Sequence, residues 1–250
     1  QMSNTHSNEK AWDLYYWPGL PGRGEFVRLV FEYAGVPYRD VCRLPEDQGG
    51  GAKALFPFLG ESSHDFPVFA PPFIKREDVV MSQTSNICIF LAKKYGVAPT
   101  DDVELFHCNQ LAATIMDCAA EAHDTHHPTD VTIYYEEQKE AAKKKAEQFR
   151  NNRIPKFFNF FERVLKKNGG KSLVGSNLSY VDLMLFHLVT GVEYAFPKAF
   201  ARHTANTPLL IALQKRVAEE PNIASYLKSS RRQNFNETDL FRRYPELDDQ

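Results

Sequence analysis

Two phenols, Tyr15 and Tyr16, stand side by side in an aromatic run, residues 12–17, that Pro18-Gly19 brings to a stop. A phenol with an ordinary pKa near ~10 is protonated at neutral pH and can donate a hydrogen bond to an anion. Neighbouring side chains on a strand point to opposite faces, so only one of the pair can serve a given site. Gln83-Thr84 precedes a helical pattern at 87–95. A helix start presents unpaired N–H groups and the positive end of its dipole, which suits an anion. The plainer role there is an N-cap, from Ser82 or Thr84. His123, His126 and His127 form a third group, but no tight or paired-cysteine spacing supports a metal site, so no metal is expected. They read as a polar helix end.

These groups need elements to hold them. Residues 12–17 read as a strand, and 22–34 carry a helical apolar stripe (Phe26, Val27, Val30, Phe31, Ala34) closed by Gly35. A second strand is expected at 37–43, followed by the loop Gly49-Gly50-Gly51. Phe73-Ile74 and Val79-Val80-Met81 flank a charged turn and read as a hairpin. The order strand, helix, strand, helix, hairpin, helix implies an α/β unit with a mixed sheet. Beyond Thr100 the strand signals largely stop. Helices are expected at 104–122, 134–150, 154–167, 179–192, 208–219 and 222–228, the fourth nearly all apolar and therefore central. Ser179 and Asp182 give that helix an S-x-x-D capping box, a folding device. The expected divisions are 11–97, 103–230 and a polar tail at 231–250.

Composition narrows the function. The chain has 250 residues with 30 Lys and Arg against 32 Asp and Glu, a net charge of −2, so no global field draws it to nucleic acid or an anionic membrane. No apolar run approaches the roughly 20 residues that cross a bilayer. The opening residues lack the apolar stretch of a secretory signal. Cys42, Cys88, Cys108 and Cys118 have neither paired-thiol nor zinc spacing, which fits a reducing compartment. A cytoplasmic protein is expected.

Four features in one order then resemble the cytosolic glutathione transferase family, in its tyrosine-using alpha, mu, pi and sigma-like classes. They are Tyr16-Trp17 with Gly22-Arg23-Gly24 and Arg28, a proline opening the third strand, Gln83-Thr84 at the third helix, and Gly-x-x-x-Ser-x-x-Asp from Gly175 to Asp182. The resemblance covers about residues 11–230. It implies a thioredoxin-like N-terminal domain with a four-stranded mixed sheet and an all-α C-terminal domain carrying the second-substrate pocket. It further implies glutathione as co-substrate, a small hydrophobic electrophile as second substrate, a role in detoxification and a two-fold homodimer.

By the same resemblance Tyr16 stabilises the glutathione thiolate, and Tyr15 belongs to the core. A free thiol near pKa ~8.5 is only a few per cent ionised at neutral pH, so a donor to the sulfur raises the reactive fraction. The loop 18–21 is one residue longer than the family's, and Arg23 takes a place near the sulfur. Gln83 and Thr84 would hold the γ-glutamyl end. Of Pro71 and Pro72, spacing to Gln83 favours Pro72 as the cis residue, which makes Pro71 the backbone partner of the cysteinyl part. Pro71 has a carbonyl but no N–H to offer. Lys53 would meet the glycyl carboxylate, with Arg39 and Arg43 as rivals and residues 57–65 inserted after it. Asp117 would reach the partner subunit's glutathione. Isomerase or peroxidase activity with glutathione, or a structural protein on the same fold, stand as alternatives.

Overall fold

The structure, a computed structural model, describes residues 10–60 and 66–248. The segment 61–65, part of the expected insertion, lies outside the described residues, as do 1–9 and 249–250. The chain divides into two compact units, residues 1–98 with 220–234, and residues 99–219 with 235–250. Residues 220–234 thus join the first unit, although 220–230 had been grouped with the second half and 231–234 with the polar tail.

In the first unit β1 (Trp12–Tyr15), α1 (Gly22–Ala34) and β2 (Tyr38–Asp40) form a β-α-β motif with parallel strands. The antiparallel hairpin β3 (Phe73–Arg76) and β4 (Val79–Ser82) then leads into α2 (Thr84–Tyr95). The sheet order is β2-β1-β3-β4, the mixed four-stranded sheet of a thioredoxin-like fold. Both outer strands of the β-α-β motif are shorter than expected. β2 stops at Asp40 because Val41–Arg43 turns into a short 3-10 helix that buries Val41 and Cys42.

Strand alternation separates the two phenols. Tyr15 stacks on Phe73 at 4.6 Å and tilts against Phe58 at 5.0 Å, within a core cluster that includes Cys42, Leu55 and Val68. Trp12, on the other face, meets Phe90 of α2 edge-on and donates its indole N–H to Tyr95 Oη at 2.7 Å. The aromatic run therefore packs both faces of the sheet, and Tyr16 follows just past the last paired residue.

The second unit is helical. It contains α3 (Asp102–Asp124), α4 (Lys139–Gln148), α5 (Ile154–Lys167), α6 (Tyr180–Ala195), α7 (Pro197–Thr204) and α8 (Pro208–Glu219). α9 (Pro221–Leu227) lies in the first unit. Residues expected as one helix from 134 begin as a 3-10 turn at Tyr135–Glu137 and become α-helical at Lys139. Between α4 and α5 the turn widens to a π-helix at Phe149–Arg153. Pro155 explains it: its ring would strike the carbonyl four residues back in a regular helix, and a wide turn relieves that clash.

α6 lies at the core, with Leu183, Met184, Leu185, Leu188 and Val192 all buried. Its start is built as its sequence pattern implies. The Ser179 N–H and the Leu173 N–H each donate to the Asp182 carboxylate at 2.8 Å, and the Ser179 hydroxyl donates at 3.2 Å. α7 had no clear sequence signal. Its first-turn N–H groups at Lys198 and Ala199 donate to the Asp248 carboxylate at 2.7 and 3.1 Å, so its cap comes from fifty residues away.

Candidate functional site

The register of the sheet assembles one edge of the first unit. Tyr15 pairs with Phe73, and Phe73 with Ser82. The residues next in line, Tyr16 after β1, Pro72 before β3 and Gln83 after β4, therefore emerge at the same end of three adjacent strands. With strands about 4.8 Å apart, that row spans roughly 10 Å, the scale of a tripeptide.

Tyr16 is 6% exposed, and its oxygen accepts the Arg23 backbone N–H at 3.0 Å. That bond takes a lone pair of the phenol and leaves its proton role as donor intact, while placing the positive end of α1 against the oxygen. Gly24 allows the approach: a Cβ there would sit 2.7 Å from the Tyr16 ring. Arg23 reaches the site through its backbone, and its side chain is half-buried. The Tyr16 N–H in turn faces the Cys42 thiol, which burial pushes up to about 11. Cys42 therefore stays protonated at neutral pH.

The loop from Tyr16 to α1 is held by a group of buried charges. Arg28 donates to the carbonyls of Leu20 and Pro21 at 3.3 and 3.1 Å and to Asp40 Oδ2 at 2.7 Å, and it pairs with Glu25 at 3.4 Å. Arg28 and Glu25 are fully buried. Burial opposes the Arg28 charge, yet Asp40 and Glu25 hold its pKa above the usual range. Glu25 also receives the Tyr226 hydroxyl at 2.8 Å and pairs with Arg232 at 2.6 Å, and the Gln233 amide donates to the Leu20 carbonyl at 3.0 Å. The longer loop is thus anchored at Leu20 and Pro21. Glu25 carried no sequence signal of this role beyond an acid in the first turn of a helix. Tyr226 and Gln233 come from the segment that had been grouped elsewhere.

At the other strand ends, the peptide bond between Pro71 and Pro72 is cis. Gln83 precedes α2 with φ 69° and ψ 119°, a conformation rare for a side chain other than glycine. No side chain caps α2, and Thr84 is buried at its first position. Such an outlier beside an uncapped helix start is where an anion fits.

The candidate cations separate by their partners. Arg39 makes a bidentate pair with Asp13 at 2.6 Å, and Arg43 donates to the carbonyls of Ser230 and Arg231, the first at 2.8 Å. Lys53 has an exposed, longer contact with Glu46 at 3.3 Å. Of the three, Lys53 is the most easily redirected.

In the second unit Asp117 is exposed on α3. Asp182 is spent on its capping box, and burial raises its pKa to about 6 against the donors that favour the charge. The three histidines do come together, with ligand-capable atoms within 4.8 Å of one another. Burial lowers His126 to about 2 and His127 to about 4, with the Arg242 charge adding to the effect.

The β-α-β-β-β-α unit with an anion-ready helix start and a phenol at the sheet edge, followed by a helical unit, defines a thioredoxin-like class of protein. The family model described as "Glutathione S-transferase, C-terminal domain" matches residues 123–230. A protein named glutathione S-transferase from Plasmodium falciparum (isolate 3D7) is 27% identical over 86% of this chain and 93% of its own length. One named glutathione S-transferase A3 from Mus musculus is 28% identical over 90% of this chain and 92% of its own. The structure titled prostaglandin synthase D of Nilaparvata lugens shares the fold, with a TM-score of 0.68 at 21% identity over 88% of this chain and 98% of that one. Over most of its length the chain is thus similar to proteins named glutathione S-transferase, and its second half matches that family's C-terminal domain. Among the described residues no helix is long and apolar enough to cross a membrane.

Proposed function

We propose that this transferase conjugates reduced glutathione to small hydrophobic electrophiles, with Tyr16 donating its phenolic proton to the thiolate sulfur. The single observation that carries the reading is the convergence of Tyr16, Pro72 and Gln83 at one sheet edge, set by the pairing of Tyr15, Phe73 and Ser82.

The steps follow from the chain's own groups. The α2 start takes the γ-glutamyl carboxylate on its N–H groups and the Thr84 hydroxyl, with Gln83 turned toward the same end by its backbone. Pro71 offers its carbonyl to the cysteinyl N–H and Lys53 meets the glycyl carboxylate. The thiol then lies at the phenol. Glutathione loses its thiol proton to solvent, the Tyr16 O–H donates to the sulfur anion, and the sulfur attacks the electrophilic carbon as the leaving group departs. Lowering a thiol pKa by about two units takes ~2.7 kcal/mol of differential stabilisation, within the range of a charge-assisted hydrogen bond aided by a helix dipole. Positioning supplies the rest of the acceleration.

A cytoplasmic homodimer acting in detoxification completes the reading. Phe66 and Phe69 are 79% and 91% exposed, apolar area that association between subunits would cover, and Asp117 would face the partner's glutathione.

Retention on immobilised glutathione and conjugation of an aryl halide test the proposal in wild type and Tyr16→Phe. Both proteins should be retained, and the variant should lose about 10- to 100-fold in rate, the worth of a hydrogen bond to a charged group. Equal rates would remove Tyr16 from the chemistry, and failure of wild type to be retained would favour a structural protein.

A further inference from the structure

The end of α3 carries chemistry that conjugation does not use. His123 lies in the last turn of α3, and His126 and His127 follow in the turn just past its C-terminal end. Two turns beyond the last full helical residues hold them there. The Thr125 hydroxyl donates to the Ala122 carbonyl at 2.7 Å, and the His126 N–H donates to the His123 carbonyl at 3.2 Å. The rings gather tightly, with His123 stacked on His127 at 5.1 Å and His126 edge-on to each at 4.8 Å.

The hydrogen bonds settle the tautomer of the central ring. His126 Nε2 lies 3.0 Å from the Leu240 carbonyl, and a carbonyl can only accept, so Nε2 carries the proton. Neutral His126 then presents a bare lone pair at Nδ1, and this atom lies 2.6 Å from His127 Nδ1. An imidazole whose second N–H is fixed by a backbone carbonyl is the usual support of a metal ligand, since it sets the ring's orientation and raises its basicity.

We propose that His123, His126 and His127 form a site for one late first-row divalent ion of the Zn²⁺ or Cu²⁺ class, with a fourth position open to water. Tetrahedral Zn–N bonds of about 2.0–2.1 Å put ligand nitrogens roughly 3.3 Å apart, so the contact between His126 and His127 opens by less than ~1 Å to admit the ion. The proton shared across that contact moves to His127 Nε2, both rings remain neutral, and no net proton is released. Imidazole-only ligation selects against Mg²⁺ and Ca²⁺, which take oxygen donors. Arg242 opposes a cation here, and the Asp124 carboxylate, 3.6 Å from His123 Nδ1, offsets it. The ion would also steady residue 240, because the Leu240 carbonyl is held by one of its ligands.

The test uses the full chain without a polyhistidine tag, stripped of metal by a chelator. Zn²⁺ uptake is followed by competition with a chromophoric chelator, and bound Cu²⁺ by its paramagnetic resonance spectrum. Wild type should take up one Zn²⁺ per chain, and its Cu²⁺ spectrum should show nitrogen hyperfine splitting. His123→Gln and His127→Gln, whose folding is checked by circular dichroism, should each weaken Zn²⁺ binding at least about tenfold. The double variant should lose the nitrogen splitting. The proposal falls if wild type takes up no Zn²⁺ at micromolar concentration, or if the double variant binds with unchanged stoichiometry and affinity.

Discussion

Two helix starts in this protein are built in opposite ways. At α6 a capping box fills the start with the molecule's own anion, Asp182, which accepts from two backbone N–H groups and a hydroxyl. At α2 no side chain caps the start, and the preceding Gln83 is held at a φ of 69°. The same physics, N–H groups and a dipole that favour negative charge, governs both. Where the chain supplies the anion the start belongs to the fold. Where it withholds one, and holds its backbone in an uncommon conformation to do so, the start is available to a ligand. The consequence is that substitution at α6 should read out in stability and substitution at α2 in binding.

The largest effect should come from Asp182→Asn. An amide keeps one acceptor oxygen but turns an NH₂ group toward N–H donors, which costs about 3 kcal/mol in a buried site. Chemical denaturation at pH 7 measures it. The pH dependence carries a definite sign. The folded-state pKa of Asp182, about 6, exceeds the ordinary value of 3.8, so in this window the folded protein binds the extra proton. Its contribution to stability is fully present below pH ~4 and is lost as the pH rises through about 6. The gap between wild type and Asp182→Asn should reflect that slope between pH 4 and 7, and a gap independent of pH would contradict it.

Gly24→Ala should rank next. A methyl 2.7 Å from the Tyr16 ring must displace the ring or α1, an overpacking worth about 1–3 kcal/mol. Because the displaced group is the phenol, conjugation should fall as well as the melting temperature. Loss of stability with unchanged activity would mean that the position of Tyr16 is not critical.

Thr84→Val should sharpen the comparison from the other side. Removing a hydroxyl that would bond a carboxylate should weaken glutathione binding by about tenfold, as seen by calorimetry, with a stability change under ~1 kcal/mol. If stability falls and binding does not, the α2 start is structural like that of α6.

Much of this arrangement was legible in the residues because it is local. Strand alternation separated Tyr15 from Tyr16, the family resemblance chose between them, and S-x-x-D announced the start of α6. The register that lines up Tyr16, Pro72 and Gln83 came only with the structure, because β1 ends two residues earlier than its aromatic run implied. What could not be read depends on partners distant along the chain. α7 is capped by Asp248, and Glu25 sits buried because Arg28, Arg232 and Tyr226 surround it. The histidines were set aside because no tight or paired-cysteine spacing supported a metal site. Only the Leu240 carbonyl, more than a hundred residues on, fixes the tautomer of His126. The π turn before α5 falls between: Pro155 signals a disturbance, but not whether the helix breaks or widens.

The proposed mechanism requires the Tyr16 phenol to lower the pKa of bound glutathione's thiol. Titrating the ultraviolet absorbance of the thiolate in the binary complex, for wild type and Tyr16→Phe at saturating glutathione, measures it directly. The thiol pKa in wild type should lie about two units below the free value and return toward ~8.5 in the variant. Identical titration curves for the two proteins would contradict it.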